Sequence, residues 1–345
     1  MDQRSRSATF RRLAVPQNLL EPLLICAGIA PRSMLFRFNR YVFLKICRIF
    51  FSVSYECTAV DFLWINRGET FVFWDTGGGM RRLLIRPGAI GDFIVSLPAL
   101  ERLKTDYLEV WPASPNVPLA RFADRARSIA STGLDLLGVT DPPPGLIDEL
   151  RGFDSIVSWY GSNRPEFRQL AGALGLPFTF FSALPPEGAG VHATDFYLEQ
   201  AGAIADGAGD KNAGREARAT GDGIPRIHCD VPRENFVAIH PFSGSPGKNW
   251  PLEKFQALAR KLERAMPVRW CAGPEDPPLK SCVQIADLYE LACWLASARL
   301  YIGNDSGITH LAAAVGTPVL ALFGPTDPAV WAPRGSNVRV GRWKA

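Results

Sequence analysis

The chain is poor in the patterns that mark metal or redox chemistry. Its four histidines (His192, His228, His240, His310) are scattered, and no HExxH or comparable spacing occurs. That excludes a zincin-type centre. Seven cysteines form an odd set without a C-x-x-C pair, so neither a zinc ribbon nor a disulfide framework is indicated. Cys271 and Cys293 sit in apolar segments and read as small hydrophobes in a reducing, cytoplasmic setting. No G-x-G-x-x-G fingerprint is present, which argues against a nicotinamide or flavin site. No apolar run approaches the roughly 20 residues of a membrane span. The nearest, Tyr41 to Tyr55, is interrupted by Lys45 and Arg48 and also fails as a signal peptide. No internal repeat is visible.

Charge excess is equally scarce. The net value of +4 is too small to argue for a nucleic-acid partner. All of it is N-terminal: residues 1–79 hold ten Lys/Arg against six Asp/Glu, and the rest balances at 28 against 28. This basic, Phe-rich stretch lacks strand–helix alternation. It reads either as an element for peripheral contact with an anionic membrane surface or as an extension outside the fold. The second is favoured, with Met80 as a natural start.

What is present, from Met80 onward, is α/β texture. Arg81 to Arg86 is a strand, Pro87 to Asp92 a glycine-bearing turn, and Phe93 to Leu103 a helix capped by Asp92, with Pro98 kinking or delaying it. Tyr107–Trp111, Asp154–Trp159 and Phe178–Phe181 read as strands. Val117–Ala130, Arg164–Leu174 and His192–Ala203 read as helices. Residues 205–231 open with a Gly- and charge-rich linker. A second alternation follows: strand Phe236–His240, a glycine-rich loop carrying Lys248, a helix after Pro251, and strand Val268–Ala272 ending in Gly-Pro-Glu-Asp. Asp287 to Glu290 then forms a capping box before a Leu-rich stripe. The stretch LYIGNDSGITHLAAAVGTPVLALFGPTD (300–327) is strand, turn, helix, strand, with Asp305 or Ser306 as N-cap and Gly316 and Pro318 as the stop. The expected domains are therefore 1–79, an extension; 80–204, the first doubly wound domain; 205–231, a linker; and 232–345, the second.

Doubly wound domains bind ligands beyond the carboxyl ends of their strands. The Asp92, Lys248 and Asp305-Ser306-Gly307 segments all lie at such ends. A carboxylate on one wall opposite a lysine and a helix N-terminus suits deprotonation of a hydroxyl against a departing diphosphate. His310 shares a helix face with Ser306. Each residue alone also fits a bland role: Asp92 a cap, Lys248 a solvated loop residue, Glu275 an idle strand-end acid, His310 a satisfied core histidine.

In combination, RLLIRPGAIGDFIVSLPAL (82–100), VAIHPFSGSPGKNWPLEKF (237–255), CAGPED (271–276) and DLYELACWLASARLYIGNDSGITHLAAAVGTPVLALFGPTDP (287–328) resemble glycosyltransferase family 9, the heptosyltransferases of lipopolysaccharide core synthesis. The resemblance implies a GT-B fold, two Rossmann-like domains facing across a cleft, with an inverting mechanism and no cofactor or obligatory metal. It implies ADP-heptose as donor and a lipid-linked glycan as acceptor. It gives Asp92 the role of base, within the acceptor-side loop of Gly88 and Gly91. Lys248 would contact the donor phosphates and Asp305 the donor sugar. Ser306, Gly307 and His310 would form the phosphate-binding turn, and Glu275 would lie near the nucleoside. Another nucleotide-sugar, or nucleotide binding without catalysis, is the alternative. Residues 1–79 have no family counterpart, residues 276–287 are short, and the family's long C-terminal helix is missing from the sequence.

Overall fold

The computed structural model describes residues 61–63, 72–74, 79–188, 190–207 and 222–344. Most of the basic N-terminal stretch, including Tyr41 to Tyr55, and the middle of the linker lie outside the described residues. The chain divides into two compact units, Met1–Gly79 and Met80–Ala345. In the first, β1 (Asp61–Leu63) and β2 (Val72–Trp74) pair as an antiparallel hairpin.

The second unit holds two all-parallel sheets. The first lobe comprises β3 (Arg81–Arg86), α1 (Ile90–Arg102), β4 (Tyr107–Pro112), β5 (Arg125–Ala126), α2 (Leu146–Arg151), β6 (Ser155–Ser158), α3 (Pro165–Ala173), β7 (Phe178–Phe180) and α4 (Ala193–Gly207). The second comprises β8 (Val237–His240), α5 (Leu252–Leu262), β9 (Val268–Cys271), β10 (Cys282–Val283), α6 (Leu288–Ser297), β11 (Leu300–Asn304), α7 (Gly307–Ala314), β12 (Val319–Phe323), α8 (Pro328–Trp331) and β13 (Val338–Arg342). Strand order is β5-β4-β3-β6-β7 in one and β10-β9-β8-β11-β12-β13 in the other. Each chain path runs outward one way, then returns to the centre and runs the other way. The reversal points, between β3 and β6 and between β8 and β11, are where such sheets open a crevice.

Burial explains the strands. Leu83, Leu84 and Ile85 of β3 are wholly buried, as are Val237, Ala238 and Ile239 of β8, as expected for parallel strands covered on both faces. Val237 and Ile239 pack on Phe255 and Ala259 of α5, while Ala238 joins the opposite layer. That opposite layer is one continuous core shared by the two lobes: Phe93 and Leu97 of α1, Tyr197 of α4, Leu291 and Leu295 of α6, and Leu311 of α7. Each fully buried Leu or Phe contributes roughly 1.5–3 kcal/mol of transfer free energy.

Two expectations change, and two strands were not expected. Val117–Ala130 is not a helix. Pro115 and Pro118 remove amide donors, and a 3-10 turn (Ser114–Leu119) forms instead. Arg125 and Arg127 are then drawn to the sheet edge by the buried Glu109, at 3.7 and 3.2 Å. Asp92 does not cap α1: the helix starts at Ile90 after Ala89, which puts Asp92 in its first turn. The edge strands β10 and β13 went unread, each being half-exposed and without an apolar run.

Candidate active site

Construction of the second-lobe half begins at the reversal point between β8 and β11. Asn304, wholly buried at the end of β11, accepts the Trp250 amide (2.9 Å) and donates to Pro241 O (2.6 Å). One side chain thus ties both ends of the 241–250 loop. Ser243 adds a bond to Asn249 Oδ1 (2.7 Å). The loop delivers Lys248, whose Nζ donates to Asp305 Oδ2 at 2.8 Å. Asp305 is buried, while Lys248 is half-exposed.

Ser306 is the N-cap of α7, its hydroxyl accepting the Thr309 amide. Thr309 in turn bonds the buried Tyr301 hydroxyl (3.1 Å) and the Asn304 carbonyl. Among the described residues the Gly307 and Ile308 amides have no carbonyl partner, as the first turn of a helix requires. His310 is buried one turn in. Burial pushes its pKa down to about 4, against a smaller opposing pull from Asp305, with His192 and Lys248 pushing it down further. The imidazole is therefore neutral at neutral pH.

The first-lobe half is the turn after β3. Gly88 adopts φ 155°, and a methyl group there would stand 3.2 Å from Asp92 Cβ. Asn116 donates to Gly88 O at 3.0 Å. Asp92 itself is half-buried.

The two halves meet. A methyl on Gly91 would stand 3.4 Å from His310 Cδ2, and one on Gly307 would stand 2.7 Å from Ile90 Cβ and 3.0 Å from the Gly91 nitrogen. Gly307 is thus a point of close approach between the lobes. Side contacts hold this arrangement: Asp195 with Arg334, His192 Nε2 donating to Ala332 O (2.9 Å), and Arg121 over the Tyr289 ring (4.1 Å). His192 Nδ1 accepts the Thr194 amide (3.1 Å), so its neutral tautomer is fully used, and burial lowers its pKa.

Gly88, Gly91, Lys248, Asp305, Ser306, Gly307 and His310 are therefore gathered at the facing ends of the two sheets. Glu275 lies on the loop after β9. It is exposed and makes no ion pair among the described residues. Its neighbour Asp276 turns inward instead, accepting His240 Nε2 (2.9 Å) and the Gly273 amide (2.6 Å). Those bonds hold the Asp276 carboxyl below its ordinary range against the opposing effect of burial. Sequence reading missed this His240–Asp276 pair and the Asn304 clamp. The only signal was position, since His240 and Asn304 both end central strands.

Residues 200–343 match the family model described as glycosyltransferase family 9 (heptosyltransferase). Over these residues the chain is similar to glycosyltransferase family 9. Lipopolysaccharide heptosyltransferase 3 of Escherichia coli is 32% identical over 121 residues, 30% of this chain and 36% of that protein. Lipopolysaccharide heptosyltransferase 1 of Salmonella typhimurium is 42% identical over 125 residues, 32% of this chain and 39% of that protein. The matched stretch thus spans about a third of the length of these curated relatives. Among solved structures, the E. coli ADP-heptose lipopolysaccharide heptosyltransferase II is similar at a TM-score of 0.56 and 18% identity, covering 76% of this chain and 90% of that one. An E. coli heptosyltransferase solved with ADP gives 0.52 and 17%, covering 76% and 93%. The fold is GT-B, with two Rossmann-like halves. Among the described residues no helix is long and apolar enough to cross a membrane.

Proposed function

We propose that this chain is an inverting glycosyltransferase that moves a heptose, or a related sugar, from an ADP-activated donor to a lipopolysaccharide core glycan. The observation that carries the reading is the contact between the Gly88–Asp92 turn and the Gly307–His310 turn, with the Lys248–Asp305 pair on the second-lobe side. The names of the curated relatives and the ADP-bound neighbour support the same donor class. Residues 80–204 would take the acceptor and 232–345 the donor.

The chemistry follows from the charges. Asp92 accepts the proton of the acceptor hydroxyl as its oxygen attacks the anomeric carbon. The new C–O bond forms on the face opposite the breaking bond to phosphate, so the configuration inverts. The electron pair leaves with the diphosphate, which Lys248 and the open Gly307 and Ile308 amides stabilise. Asp305, held by Lys248, is free to receive sugar hydroxyls through its remaining lone pairs. His310, neutral, offers a hydrogen bond without competing charge. A lipid-linked acceptor would bring the enzyme to the inner-membrane surface.

The test is turnover with a panel of ADP- and UDP-sugars and a heptose-bearing core acceptor, read as release of nucleoside diphosphate and acceptor mass. Release of ADP with a gain of one heptose is the expected result. Turnover with UDP-sugars alone would overturn the donor assignment, and nucleotide binding without release would overturn the enzyme reading.

A further inference from the structure

Arg86 closes β3 and carries a charge that nothing in sugar transfer has used. Its side chain is 2% exposed. Nε donates to Ser96 Oγ (3.3 Å), Nη1 to Pro87 O (3.4 Å) and Nη2 to Asp92 O (3.1 Å). The guanidinium lies over the Tyr197 ring, 4.6 Å from its centroid. Among the described residues no carboxylate reaches it within ion-pairing distance. Burying a cation on neutral partners alone is expensive, and a packed apolar side chain of similar volume is usually at least as stable. General stability therefore does not account for the choice of residue.

The bonding pattern does. Two of the three acceptors are backbone carbonyls on either side of the helix start: Pro87, just past β3, and Asp92, in the first turn of α1. A planar fork with several fixed donors can span two such carbonyls, which a single ammonium cannot do with the same geometry. The third acceptor, Ser96, lies one helical turn beyond Asp92 on α1 and itself donates to Phe93 O (2.7 Å). Arg86 thus bolts strand end, turn and first helical turn together directly beneath Asp92. The Tyr197 ring on the other face of the guanidinium leaves the fork little room to shift.

We propose that Arg86 is a positioning residue for Asp92: by bonding Pro87 O and Asp92 O at once it fixes the first turn of α1 against the end of β3, and with it the direction in which the carboxylate leaves the helix. The proposal rests on the sugar-transfer reading given above. An error of about 1 Å at a reacting group can cost about 100-fold in rate. Arg86→Met, which keeps the packed stem, is therefore expected to lower kcat about 100-fold while ADP affinity, measured by titration calorimetry, stays unchanged. Arg86→Lys keeps the charge but loses the fork, and kcat is expected about tenfold below wild type, the scale of one charge-assisted hydrogen bond. Partial rescue by lysine together with untouched ADP affinity is a split that simple unfolding cannot produce.

Asp92→Ala is run beside them. If Asp92→Ala keeps its rate, the sugar-transfer reading itself falls. If Asp92→Ala is inactive but folded Arg86→Met turns over like wild type, the positioning role alone is overturned. A kcat loss matched by an equal loss of ADP affinity also overturns it, because that marks a general structural role. Should Arg86→Met fail to fold, Arg86→Lys decides: wild-type kcat in the folded lysine variant is the contradicting result.

Discussion

Asp92 and Asp305 are the two candidate acids, one on each lobe, and they are held in opposite ways. Asp92 sits half-buried in the first turn of α1, where one buried guanidinium grips its backbone and Asn116 supports the preceding turn at Gly88. Asp305 is buried within a side-chain network: Lys248 on its carboxylate, Asn304 tying the lysine loop, Ser306, Thr309 and Tyr301 below. The difference matches the two tasks proposed for them. An acid that exchanges a proton with a bulky acceptor needs an open face and a fixed direction. An acid that recognises a donor needs a preformed, dry pocket, where each hydrogen bond counts for more.

The network side should be the more sensitive to pH. His310 has a value near 6.5 when unfolded and about 4 when folded. Between those values the unfolded chain binds a proton that the folded chain refuses, so stability is complete above about pH 6.5 and falls as pH drops toward 4. The loss should approach 3 kcal/mol at about 1.36 kcal/mol per pH unit. Urea midpoints of wild type and His310→Gln at pH 7 and pH 4.5 test this. The glutamine variant should lose much less on acidification, and equal losses would show that His310 is not the group responsible. Asn304→Ala comes next. It orphans the Trp250 amide and Pro241 carbonyl, so a stability loss of about 2 kcal/mol is expected, accompanied by weaker ADP binding in calorimetry as the Lys248 loop loosens. Unchanged ADP affinity would mean the loop is held by its own turns instead.

The seam between the halves is probed by a pair of glycine changes. Gly307→Ala drives a methyl into Ile90 and should cost about 1–2 kcal/mol in thermal or urea unfolding, as other overpacked contacts do. Gly91→Ala meets only ordinary contact distances and should stay within about 0.5 kcal/mol of wild type. If both changes are neutral, the lobes do not meet where the structure has them meeting.

Legibility in the sequence followed the same division. The Asp305–His310 segment could be read residue by residue, because a cap, a short Ala-rich helix and a glycine stop are local signals. Lys248 stood out as the one cation of a glycine-rich loop. Asn304 did not stand out, because its importance comes from a loop more than 50 residues earlier in the chain. Nor did Arg86, which differs from Arg81 and Arg82 only in pointing at a turn that the fold brings over it. Which of Glu275 and Asp276 turns inward was not legible either. Side-chain direction at a strand exit depends on where His240 sits across the sheet, and no local spacing encodes that. Pro115 and Pro118 were visible signs against a helix at 117–130, outweighed in the reading by the apolar pattern.

The central claim is that Asp92 supplies the base for a donor bound across the seam, and one comparison tests it most directly: transfer rate and ADP affinity for Asp92→Asn beside wild type. The account predicts at least a 100-fold fall in kcat, in line with loss of a general base, with ADP bound within about threefold of wild type. Turnover at the wild-type rate in the asparagine variant would contradict it.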